Sequence, residues 1–68
     1  MSQLEKFKVI LKHYIEHSKE HTDKYLEWSE KLKTEDEEIS RLLQKAVEKF
    51  REGENILEEI YRKISSKE

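Results

Sequence analysis

Residues 31–39 read Lys-Leu-Lys-Thr-Glu-Asp-Glu-Glu-Ile, and this stretch decides how the chain is built. Thr34-Glu35-Asp36-Glu37 fits the capping box, in which a Ser or Thr hydroxyl accepts from the N3 amide and the acid at N3 reaches back to the cap. Four consecutive acids, Glu35 to Glu38, then stand where a helix dipole favours negative charge. Lys31 and Lys33 lie just before them, where the end of a preceding helix favours cations. The stretch reads as one helix ending and another beginning.

Outward from it, Ser2-Gln3-Leu4-Glu5 repeats the capping template near the start of the chain. One helix is therefore expected over about residues 3–33, a turn at about 33–36 and a second helix over about 35–64, with the last residues frayed. Periodicity agrees. Leu4, Phe7, Leu11, Tyr14, Ser18, His21, Tyr25, Trp28 and Leu32 step by alternating threes and fours, as do Ile39, Leu43, Ala46, Phe50, Gly53, Leu57, Ile60 and Ile64. Carrying the first phase forward would place Lys49 and Lys63 in the row and leave Phe50 and Leu57 out. The phase breaks at the turn, which argues against one unbroken helix.

Folded back on itself, the chain sets these two rows against each other. The expected partners are Leu4 with Ile64, Phe7 with Ile60, Leu11 with Leu57 and Tyr14 with Gly53. Towards the turn they are Ser18 with Phe50, His21 with Ala46, Tyr25 with Leu43 and Trp28 with Ile39. Tyr14 is expected to fill the space over Gly53, large against small.

Composition limits what such a chain can be. Its 68 residues make a single domain, 1–68, with one Gly, no Pro and no Cys. A sandwich or barrel lacks its turn formers, and disulfides, thiolate metal sites and cysteine nucleophiles are excluded. Charged residues are 44% of the chain against 34% hydrophobic, so no segment has membrane-spanning character. The formal net charge is −2 with signs alternating, which does not suit a nucleic-acid binder. Acid-first pairs at four-residue spacing, among them Glu20–Lys24, Glu27–Lys31, Glu37–Arg41, Glu58–Arg62 and Glu59–Lys63, read as a solvated helix surface. The expected setting is cytoplasmic.

A two-helix hairpin shares one narrow seam, and its burial scarcely offsets the ordering entropy of about 1.5 kcal/mol per residue. Apolar residues also flank the seams. Ile10, Leu26, Leu42 and Ile56 would stay wet on a lone hairpin, so they form the expected dimer interface. The fold class is all-α: an antiparallel two-helix hairpin, dimerising into a four-helix bundle.

The chain has one chemical feature. Residues 13–21 read HYIEHSKEH, with His13, His17 and His21 one helical turn apart. Imidazoles at this spacing chelate zinc, nickel or copper, and Glu20 supplies a nearby carboxylate. His17 and His21 are the expected principal ligands, with His13 or Glu20 third. His21 is expected in the seam, and Glu54 across from His13. The plain alternative is one packed histidine and two surface ones. The order His-x-x-Glu, without seam carboxylates on the second helix, does not fit a di-iron carboxylate bundle. No phosphate loop or activated serine is present, so no enzyme activity is expected.

The run from Leu11 to Trp28, LKHYIEHSKEHTDKYLEW, resembles an uncharacterised family of short bacterial and archaeal helical hairpins. That family carries an H-[YW]-x-E-H-x-x-E-H signature in helix one and an E/L/A-rich second helix. Its members often place Gly in the turn, where this chain has Lys33-Thr34. The resemblance implies a helical hairpin and a link to transition metals through His13, His17 and His21. The expected function is a non-enzymatic helical interaction or accessory module that self-associates. The alternative is a zinc- or nickel-binding protein for buffering, delivery or sensing. A third reading is an adaptor whose exposed flank docks on another protein's helix.

Overall fold

The structure, a computed structural model, describes residues 2–67. Two helices form it: α1, Gln3–Leu32, and α2, Glu37–Lys67. They run antiparallel as a rod of about 51 × 15 × 13 Å. No strand occurs among the described residues, and no helix is long and apolar enough to cross a membrane.

Both helix starts are capped, though the second cap is not the expected one. Ser2 accepts from the Glu5 amide at 3.1 Å, as its template requires. At the second start Asp36, not Thr34, is the cap. Its Oδ1 accepts from the Ile39 amide at 3.1 Å, and its carbonyl accepts the first helical bond from Ser40 at 3.0 Å. Aspartate is among the strongest N-caps, and here it outcompetes a threonine two residues upstream. Thr34 instead stands in the turn. There the amides of Glu35 and Asp36 return to the Leu32 carbonyl at 3.0 and 2.8 Å. No residue with positive φ is needed among those described, so this turn dispenses with glycine. At the far end α2 stays helical to Lys67, past the expected stop at Ile64. Glu68 lies outside the described residues.

The seam differs from the expected one by a rotation of each helix. The buried or half-buried row of α1 is Leu11, Ile15, Ser18, Thr22, Ser29 and Leu32. That of α2 is Ser40, Leu43, Val47, Glu54, Leu57, Tyr61 and Ile64. Of the expected rows, Leu11, Ser18 and Leu32 of α1 and Leu43, Ala46, Leu57, Ile60 and Ile64 of α2 are buried or half-buried. The rest, including Phe7, Tyr14, His21 and Trp28, stands outside. The pairing also slides by about one turn. Ser18 meets Glu54, not Phe50, and Tyr25 stacks on Phe50, not Leu43, with ring centroids 5.6 Å apart. Nothing lies within 4 Å of a Cβ built on Gly53, so Tyr14 does not fill that space.

Side-chain size explains the rotation. Each helix carries an apolar arc wider than one seam covers, and small hydroxyl residues line one edge of it. Packing that edge lets the backbones approach closely. Ser40 Oγ donates directly to the Ser29 carbonyl across the pair at 2.7 Å. Bulkier residues on the rest of the arc could not allow this. The apolar core is consequently small: Leu11, Ile15 and Ile64, packed with Leu57, Ile60 and Tyr61 at the open end. Val47 is buried separately towards the turn.

Candidate functional site

Two flanks of the hairpin follow from this packing, and they differ in chemistry. In an antiparallel helix pair, the positions just after the seam on each helix share one side, and those just before it share the other. On one side Lys12 and Lys19 of α1 meet Arg51 and Glu58 of α2. Lys19 Nζ pairs with Glu58 Oε1 at 2.6 Å, and Arg51 pairs with Asp23 at 2.8 Å. The hydrogen bond from Lys19 and its charge hold the Glu58 carboxyl below its ordinary value, against a smaller opposing effect of desolvation. The hydrogen bond to Asp23 raises the Arg51 guanidinium further. A shallow groove of about 250 Å³ opens here between Lys12, Glu16, Lys19, Glu58 and Arg62, over Ile15 and Tyr61. Its charged walls of both signs select no particular ligand.

The opposite flank is apolar. Phe7, Tyr14, His21 and Trp28 repeat every seven residues along α1, and Ile39, Ala46, Gly53 and Ile60 do so along α2. Between these rows lies the Tyr25–Phe50 stack. Tyr14 is 57% exposed, Trp28 54% and Phe50 45%. Soluble surfaces scatter such residues singly, whereas here they recur along one flank.

The four residues expected at a dimer interface are all exposed. Ile10, Leu42 and Ile56 edge the apolar flank, one position outward. Leu26 does not join them. It falls seven residues past Lys19 and so stands on the charged side.

Between the helices sits a polar cluster that the sequence reading overlooked. Glu54 is 3% exposed, and its Oε2 accepts from Ser18 Oγ and Thr22 Oγ1, each at 2.6 Å. Arg51 approaches its other oxygen at 3.8 Å. Glu54 therefore does not face His13 as expected. The signal was present in the serines and threonine that recur at seam spacing opposite one inward glutamate. Every buried side-chain polar atom among the described residues has a partner.

All three histidines are exposed, His21 included, which corrects its expected place in the seam. His17 and His21 are brought together, with their Nε2 atoms 3.0 Å apart. His13 lies one turn back, its ring stacked on His17 at 6.1 Å between centroids. Neither His13 nor Glu20 joins them in a three-ligand group. No three His, Asp or Glu side chains among the described residues are placed to hold one ion.

Comparison with known proteins fits this architecture to a family. An uncharacterised protein of Archaeoglobus fulgidus is 41% identical over 54 residues, covering 79% of this chain and 87% of the relative. No solved structure matches. Residues 7–64 match the family described as Domain of unknown function (DUF8180), and the chain belongs to that family.

Proposed function

We propose that the protein is a non-enzymatic helical interaction module that self-associates, two hairpins pairing through their apolar flanks into a four-helix bundle. One observation carries this reading. The middle of the seam is lined by Ser18, Thr22, Ser29, Ser40 and Glu54, whereas Phe7, Tyr14 and Trp28 stand on the outer flank and the Tyr25–Phe50 pair, stacked between the helices, stays 39% and 45% exposed. Twelve large apolar side chains among the described residues are each 39–67% exposed on the single chain, and a small single core is thin support for a domain of this size. Closing two such flanks on each other places the aromatic rows at a bundle centre, the arrangement expected of four-helix bundles. The charged flanks remain in water. A second copy suits the face because the bulky row on α1 lies beside the small residues Ala46 and Gly53 on α2, so two copies interdigitate large with small.

The test is sedimentation equilibrium across a concentration range, beside thermal melts at the same concentrations. A dimer mass and a melting temperature that rises with protein concentration are expected, since association stabilises by mass action. Phe50→Glu should dissociate the pair, whereas Leu26→Glu, on the charged side, should leave it intact. A monomer with a concentration-independent melt would overturn self-association. Dissociation by Leu26→Glu but not by Phe50→Glu would move the interface to the other flank.

A further inference from the structure

We propose that His17 and His21 form a two-imidazole chelate for a late first-row divalent metal ion, self-contained within one chain. Metal–imidazole bonds are about 2.0–2.1 Å long, so two nitrogens on a tetrahedral ion lie roughly 3.3 Å apart and on a square-planar one roughly 2.9 Å. The Nε2 atoms of His17 and His21 are 3.0 Å apart. The two ring planes stand at 82° with centroids 4.5 Å apart, so the nitrogens converge without the rings overlapping.

The helix supplies this geometry in advance. Residues four apart lie on neighbouring turns of one face, and α1 is continuous through both. In the metal-free protein one imidazole N–H faces the other ring's nitrogen. An ion would displace that proton and sit to one side of the nitrogen–nitrogen line, with the rings turned to aim both lone pairs at it. Both rings are exposed on the single chain, so there an ion has access and its other coordination positions take water. His13 does not complete the set, because its ring stacks on His17 and no third ligand converges. Two nitrogen donors with open positions suit nickel, copper or zinc, and poorly suit calcium or magnesium, which prefer oxygen. Both ligands come from one chain, but His21 lies in the row that self-association would cover. The titration is therefore run on the natural sequence and on the dissociated Phe50→Glu variant, and binding by the latter separates this site from the pairing of two copies.

The experiment titrates the untagged protein with nickel and, separately, zinc, by calorimetry and by thermal melting. One ion per chain is expected, with a melting temperature that rises with ion concentration, since the chelate exists only in the folded helix. His17→Ala and His21→Ala should each weaken binding at least about tenfold, as loss even of an outer-shell partner costs about 10–100-fold. His13→Ala should bind like the natural sequence. All three positions are exposed, so circular dichroism should show unchanged helix in each variant. Absence of binding at about 1 mM ion, the range of the weakest specific affinities, would return the pair to a simple hydrogen bond. Equal binding by His17→Ala would overturn the assignment, as would one ion per two chains.

Discussion

Thr22 of α1 donates to the buried carboxylate of Glu54 on α2 at 2.6 Å, across the middle of the helix pair. The Thr22 hydroxyl has one proton and a second acceptor within reach, the Ser18 carbonyl at 2.9 Å. Ser18 Oγ donates to the same Glu54 oxygen. A buried carboxylate is satisfied only where donors meet it, so this cluster favours one register of α1 against α2. Buried polar groups serve this purpose in coiled coils at a cost in stability.

Replacing Glu54 separates register from stability. Glu54→Ala removes two hydrogen bonds to a charged group, each contributing about 1.5–3 kcal/mol, but Thr22 can fall back on the Ser18 carbonyl. A net loss of about 2–3 kcal/mol is expected by urea denaturation. Glu54→Leu fills the volume and leaves no buried charge, so it should lose less than Glu54→Ala. Equal or greater loss for leucine would mean that the carboxylate itself anchors the hairpin.

The start of α2 gives a second prediction. Asp36→Ala removes the acceptor for the Ile39 amide and should cost about 1 kcal/mol, as N-cap losses do. Thr34→Ala should be close to neutral, because no helix amide depends on its hydroxyl. Denaturation of the two variants side by side distinguishes them. A larger loss for Thr34→Ala would restore the cap to the position the capping-box pattern suggests.

The hairpin, its antiparallel sense and the place of its turn were legible because they rest on local signals: capping residues, a run of acids and a break in apolar phase. The choice of seam was not. An apolar arc spanning three heptad rows fits either of its edges to the neighbouring helix, and counting hydrophobic positions selects the bulkier edge. The close approach of Ser29 to Ser40 and the pairing of Glu54 with Ser18 and Thr22 favour the other edge. That preference rests on polar satisfaction between the helices, to which hydrophobic periodicity is blind. The histidine ridge was legible as a spacing. That only His17 and His21 converge depends on side-chain orientation, which spacing does not fix.

Gly53 tests the seam directly. Had Tyr14 filled the space over it, a larger residue would overpack the hairpin by about 1–3 kcal/mol. The structure leaves open space around a Cβ at this position, and φ there is not positive. A side chain therefore meets neither a neighbour nor backbone strain within the chain. Gly53→Ala should stabilise the hairpin by up to about 1 kcal/mol, the difference in helix propensity between the two residues. Gly53→Leu should also fold without loss, since its side chain extends onto the apolar flank and not into the seam. Both effects are to be read by urea denaturation at the lowest workable concentration, where association contributes least. Destabilisation by both substitutions there would place a neighbouring side chain over Gly53 and restore the Tyr14 seam.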